Sequence, residues 1–308
     1  MVDFRRDSMI KSFAMRIVYA MLLFTLVACG GGKEPSESGL FGIVWSGTQY
    51  VGVGNSGTIR TSPDGVSWAY RNSGTTESLL NVAWSGAQFT AVGDHGAILT
   101  SPDGVTWTMQ SSGTTNDLYG VAWSGSQFAT VGASGAIFNS PTGTQWTPQT
   151  PGTAENLYGL AWSGTQFVAI GYNGIILTSP DAITWTVQTS GITDPLGAII
   201  WSGTQFVAIG NNSAILTSPD GMTWTAQASG VTNGLSGIAW SGTQFVAVGD
   251  TGTIITSPDA ITWTQRSSGT SNSLFGVVWS GAQFQFVAVG WSNVILTSPD
   301  GVNWKQRS

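Results

Sequence analysis

One histidine, one cysteine and sixteen carboxylic acids are all the acid–base and nucleophilic side chains of note in this 308-residue chain. His95 stands beside Asp94 in the glycine-bracketed turn Gly93-Asp94-His95-Gly96. Next to Asp94 or Asp250 it would make a general base, but a single histidine in a turn reads first as a solvated loop residue. Hydrolysis of a glycosidic bond needs two carboxyl groups facing each other across roughly 5–9.5 Å. Glu77, Asp94, Asp117, Glu155, Asp194 and Asp250 are strung out along the chain, and nothing singles out a pair. No helix-borne metal motif, phosphate-binding loop, dinucleotide fingerprint or nucleophile elbow is present. The residues therefore argue against catalysis, and no metal or cofactor is expected.

Six further carboxylates recur in one context. Asp64, Asp103, Asp181, Asp220, Asp259 and Asp300 each sit in a Ser-Pro-Asp box that closes on a tryptophan, namely Trp68, Trp107, Trp185, Trp224, Trp263 and Trp304. Such an aspartate can accept backbone N–H groups in its own turn while the indole docks on the sheet, so a structural role is expected. One carboxylate per box is too few for calcium, which takes six or more oxygens. A seventh box, Ser140-Pro141-Thr142-Gly143 before Trp146, lacks the acid. Ala182 and Ala260 replace the box glycine; if that position is left-handed, each should cost roughly 1 kcal/mol.

A second series of tryptophans, Trp45, Trp84, Trp123, Trp162, Trp201, Trp240 and Trp279, each opens a Trp-Ser-Gly turn, and successive members are 39 residues apart. A period near 40 with several short strands per repeat is the mark of a β-propeller. The fold expected over residues 39–308 is all-β, a seven-bladed β-propeller with four antiparallel strands per blade. In the second repeat the strands fall near 79–84, 88–92, 97–100 and 107–110, with a hairpin tip at 93–96 and a type I turn at 101–104. Blade seven carries two extra residues in Gln283-Phe284-Gln285-Phe286-Val287, which predicts a bulge or a longer turn. Repeats and blades run in phase, so no strand crosses the seam. The expectation is that blade seven meets blade one through side-chain packing alone, at the weakest place in the ring.

The Ser-Pro-Asp-Gly-x-Thr-Trp box, as at Ser101 to Trp107, resembles the Asp-box of the bacterial neuraminidase repeat superfamily and is one residue shorter before the glycine. The resemblance implies the fold and not an activity. Sialidases of that superfamily have six blades, three converging arginines, a tyrosine nucleophile assisted by glutamate and an acid/base aspartate. Here Arg60, Arg71, Arg266 and Arg307 all belong to third or fourth strands, of blades one, six and seven, where they cannot converge on a central channel. The seven repeats are also similar to those of the photosystem II stability and assembly factor family, exported seven-bladed scaffolds that bind protein. That likeness implies a mode of action; the family's basic patch has no counterpart in this acidic chain.

Residues 1–28 read as a signal peptide, with Arg5, Arg6, Lys11 and Arg16 ahead of an apolar run too short to span a bilayer. Leu26-Val27-Ala28-Cys29 resembles the lipobox of bacterial lipoproteins, which implies acylation of Cys29, the sole cysteine. Gly30 follows where an aspartate would signal retention at the inner membrane, so the outer membrane is expected. Residues 29–38 then form an acylated, flexible tether rich in Gly, Ser and Glu. The net charge is −6 overall and about −8 without residues 1–28. Nucleic acid, which demands clustered cations, is therefore a poor partner.

Variation among the repeats collects in the tip between strands two and three and in the connection to the next blade, and both emerge on one side of the disc. The tips contribute Asp94, His95, Tyr172, Asn173, Asn211, Asn212, Asp250 and Trp291 as candidate binding residues, with Tyr172 and Trp291 expected to be exposed. Phe41, Tyr119, Tyr158 and Phe275 recur near the head of the inner strand and read first as core. The functional expectation is a monomeric, non-catalytic binding scaffold of the cell envelope that engages a protein or glycan. The alternatives are a carbohydrate-binding module or a sialidase-like glycoside hydrolase.

Overall fold

The computed structural model describes residues 39–283 and 285–307. The predicted signal peptide, Cys29 and the tether lie outside them. Among the described residues the chain forms seven separate four-stranded sheets, each built from consecutive antiparallel strands. In blade one these are β1 (Leu40–Trp45), β2 (Tyr50–Gly54), β3 (Ile59–Ser62) and β4 (Ala69–Arg71). The first strands touch their neighbours all the way round, β1 meeting the first strand of blade seven, so they line the centre of a closed seven-bladed propeller.

Blade identity follows from burial. Each second strand, such as Phe167–Gly171, is buried at every position because blades pack against both of its faces. Its first residue is the aromatic keystone. The Phe167 ring lies 4.6 Å from that of Trp162 in the Trp-Ser-Gly turn and 6.4 Å from that of the box residue Trp185. The same triad recurs in every blade, with Tyr50 in place of phenylalanine in blade one. First strands pack closely enough that glycine is required. A Cβ on Gly237 would sit 2.6 Å from the Phe275 carbonyl oxygen of the next blade.

The boxes are structural turns. Asp64 accepts the N–H groups of Val66 and Ser67 at 2.8 Å, and Trp68 donates its indole N–H to the Gly65 carbonyl at 3.1 Å. Hydrogen bonds from the backbone three and then two residues on hold the carboxyls of Asp64, Asp103 and Asp220 below the usual carboxylate range. Ala182 and Ala260 adopt φ of 55° and 63°, as expected for a left-handed position. Both methyls are fully buried, and a buried methyl returns about 0.8 kcal/mol against roughly 1 kcal/mol of strain. That near balance lets alanine persist there.

In blade three Thr142 makes a 3.4 Å contact to the Thr144 N–H and a 2.7 Å bond with the Thr144 hydroxyl in place of the two short backbone bonds. Thr142→Asp is expected to stabilise the ring by about 1 kcal/mol, the usual worth of such a cap. Chemical denaturation would show no gain if the turn cannot accommodate the acid.

The two extra residues of blade seven make a longer turn, with a single 3₁₀ turn at Gly281–Gln283. The expectation about the seam needs correction, because hydrogen bonds cross it. In every blade the glutamine before the second strand donates to the carbonyl of the next blade's box aspartate or its equivalent. Gln49 reaches Asp103 at 2.7 Å and Gln205 reaches Asp259 at 3.1 Å. Gln285 of blade seven makes the same bond to Asp64 of blade one at 2.8 Å. It also donates to the Tyr50 hydroxyl at 3.1 Å, and Gln283 in the inserted turn donates to the Pro63 carbonyl. The seam thus carries the clasp found elsewhere and further bonds besides, which removes the ground for ranking it weakest.

Candidate functional site

The variable tips and interblade connections do share one face. Each tip is a short 3₁₀ turn, Asp94–Gly96 in blade two, set against the start of the next blade's first strand. The first tip residue is drawn inward because its N–H bonds the preceding connection, as Asp94 does to Ser78 and Tyr172 to Asn156. The second points to solvent in the left-handed region, at φ 52° for His95 and 53° for Thr251. For a β-branched residue that conformation is unusual. Thr251 is steadied by donating to the Asp250 carbonyl at 2.8 Å and accepting from Asn233 at 2.9 Å.

This division sorts the predicted residues. His95, Asn173 and Asn212 are exposed, whereas Tyr172, Asn211, Asp250 and Trp291 are half-buried and Asp94 is buried. Tyr172 and Trp291 are therefore less open than expected. They occupy first tip positions, and Trp291 closes against Gly39, where a Cβ would lie 3.1 Å from the indole. The connections brace the tips. Asp117 accepts the His95 N–H at 2.8 Å, Asn156 accepts the Ser134 N–H at 2.8 Å, and Asp194 accepts from the Asn212 side chain at 2.6 Å.

The second residues of the first strands ring the channel mouth and are unequal. Phe41 and Phe275 meet edge to face across the seam with centroids 5.5 Å apart, and Tyr119 and Tyr158 pair at 5.3 Å. Blades five and six present only Gly197 and Ser236. Tyr158 is buried; Phe41, Tyr119 and Phe275 keep partial exposure, so they are less fully core than expected.

The acids gather beside the tyrosines. Burial, with the Asp117 charge second, raises the Asp94 carboxyl to about 6. Burial and Asp117 likewise push the Tyr119 phenol up. His95 pairs with Glu77 at 2.7 Å, and not with Asp94 or Asp250; that hydrogen bond raises its pKa. The structure thus singles out one carboxyl pair, Asp94 and Asp117, that spacing could not. It is poorly placed for hydrolysis, with Asp94 only 5% exposed and Asp117 engaged by the His95 N–H and, at 3.5 Å, by the Tyr119 hydroxyl. Two clefts flank the tips, of about 800 Å³ and 370 Å³, and Glu77 and Asp194 are the respective carboxylates lining them. Neither cleft therefore faces two acids across a substrate. Among the described residues no cluster of three or more potential metal ligands occurs.

The titration has a sign. The folded value of Asp94 lies above its ordinary value, so its contribution to stability is complete below about pH 4 and is lost as pH rises through about 6. His95, also raised, acts in the same direction, while the lowered box aspartates cost stability only below about pH 4. The ring is expected to melt several degrees higher at pH 5 than at pH 7.5, and Asp94→Asn should remove most of that difference. Equal pH dependence in the variant would refute the assignment; Asp117, Glu77, His95 and Tyr119 are the other titratable groups beside it.

No family model matches the chain, and no curated protein matches it. Solved structures do. YCF48 from Cyanidioschyzon merolae superposes with a TM-score of 0.69 at 19% identity, covering 88% of this chain and 98% of its own. YCF48 bound to D1 peptide gives 0.71 at 16%, covering 91% and 96%. The outer coat vertex of COPII on membranes gives 0.63 at 14%, covering 85% and 84%. The likeness is one of fold. At these identities it fixes the seven-bladed architecture and leaves the ligand to the residues of this chain.

Proposed function

We propose that this protein is a non-catalytic scaffold of the bacterial cell envelope, exported, anchored through acylated Cys29, and engaging a protein partner through its variable face. The observation that carries the reading is the confinement of variation between near-identical blades to one braced face. Loops fixed on a rigid ring are where binding resides. One solved neighbour supports the mode, a YCF48 structure bound to D1 peptide. The half-burial of Tyr172 and Trp291 does not favour the glycan reading.

The test is crosslinking of the full chain in its envelope, with mass spectrometry of captured segments. The control chain carries Tyr172→Ala, Asn212→Ala and Asp250→Ala and is checked for an unchanged melt. A protein captured by the first and lost with the second is expected; identical capture, or none, would end the scaffold reading. Anchoring is tested apart, with a palmitate analogue. Labelling and membrane fractionation should both vanish in Cys29→Ser, and a variant that stays labelled refutes acylation there.

A further inference from the structure

Charge is divided in this ring. The twelve carboxylates after residue 38 comprise six in the boxes and six on the variable face, Glu77, Asp94, Asp117, Glu155, Asp194 and Asp250. The five cations, Arg60, Arg71, Arg266, Lys305 and Arg307, all lie on third or fourth strands of blades one, six and seven. Each of these four arginines is occupied along its own sheet, Arg60 over the Tyr70 ring at 4.8 Å and the others on threonine hydroxyls. Among the described residues the one cationic group that the acids of blades two to four face around the channel mouth is therefore His95, which pairs with Glu77.

The aromatic surface coincides with that charge. Tyr119 and Tyr158 stand side by side at the mouth, and Asp117 and Asp94 interact with Tyr119. Glu155 and Tyr172 lie beside Tyr158. Next to them Gly197 and Ser236 leave the rim without a large side chain. We infer that the mouth over blades two to four receives a lysine- or arginine-bearing segment of the partner protein, its cation against Asp117 and its stem across the exposed part of the Tyr119 ring, which buried Tyr158 backs. The inference rests on the protein-scaffold reading and names the chemistry of the segment.

Complementarity selects this occupant. Asp94 and Asp117 are costly as neighbours because burial and their mutual repulsion outweigh the His95 charge beside them, and an incoming ammonium or guanidinium would offset that cost. The exposed part of the Tyr119 ring adds a cation–π attraction. An anionic segment would meet repulsion at each of these acids. The bare rim at Gly197 and Ser236 gives the rest of the segment a way out of the mouth.

The experiment titrates the full chain in detergent against two labelled dodecapeptides, one of lysine, phenylalanine and glycine, the other with glutamate for each lysine. Fluorescence anisotropy is read at low and high salt. The lysine peptide should bind and the glutamate peptide should not, and added salt should weaken binding because exposed charges are screened. Asp117→Asn keeps the acceptor oxygen for the His95 N–H and removes the charge, so the fold should survive while affinity falls at least tenfold. Tyr119→Leu should weaken binding several-fold with the salt dependence retained.

Equal binding of the two peptides, no binding of either, or an unaffected Asp117→Asn chain overturns the inference. The broader reading fails separately. If envelope crosslinking captures a partner through segments without basic residues, the scaffold stands and the cationic site falls. If it captures nothing, the scaffold itself falls.

Discussion

Phe167→Ala is expected to destabilise the ring by about 3–5 kcal/mol, the usual cost of deleting a fully buried phenylalanine. The ring of Phe167 is fully buried, wedged between Trp162 and Trp185 of its own blade and packed with Ala129 of the blade before it. Removing it opens a cavity bounded by two stiff indoles, which cannot collapse into the space. The equivalent Phe206→Ala should cost the same, because Phe206 sits 4.6 Å and 6.4 Å from Trp201 and Trp224. Urea denaturation of both variants checks this. A loss under 1 kcal/mol at either site would mean that the triads are not the keystones of the blades.

The second large effect is at the seam. Gln285→Ala combined with Tyr50→Phe is expected to cost about 2–3 kcal/mol, since it removes at least two hydrogen bonds worth roughly 1 kcal/mol each. The bonds are those from Gln285 to the Asp64 carbonyl and to the Tyr50 hydroxyl. Tyr50→Phe alone restores the residue that the other six blades carry and so isolates the hydroxyl. Gln205→Ala in blade five, which loses the single 3.1 Å bond to Asp259, should cost about 1 kcal/mol by the same reckoning. If the seam pair costs no more than Gln205→Ala, the additional bonds add nothing to closure.

Two irregularities of sequence meet in that seam. Blade one alone has tyrosine at the keystone, and blade seven alone has two inserted residues. In the folded ring the Tyr50 hydroxyl donates to the Gln283 side chain at 3.3 Å, and Gln285 bonds to both residues. They lie more than 230 positions apart in the chain, and only ring closure makes them one feature.

The architecture was legible because repetition multiplies a weak signal. A single Ser-Pro-Asp box or Trp-Ser-Gly turn could belong to many β proteins, but seven copies at a fixed period allow only a solenoid or a closed ring. Strand limits in the second repeat fell within a residue or two of Leu79–Trp84, Phe89–Gly93, Ile98–Ser101 and Thr108–Gln110. The left-handed alanines and the lack of strand exchange at the seam could be read as well, since each follows from local geometry and repeat phase. So could the shared face of tips and connections, which is a matter of strand parity.

The tertiary structure alone decided which residues of that face meet. The alternation of inward and outward tip residues comes from backbone bonds to the preceding connection, so Asp94 is buried while its neighbour His95 is exposed. The pairing of His95 with Glu77 crosses a blade boundary, as does the proximity of Asp94 to Asp117. The clasp at the seam does the same across the whole length of the ring. A repeat sequence specifies each blade through contacts within some 39 residues. The chemistry of the mouth instead arises from neighbouring blades brought to one axis, and the order of residues within a repeat does not encode that distance.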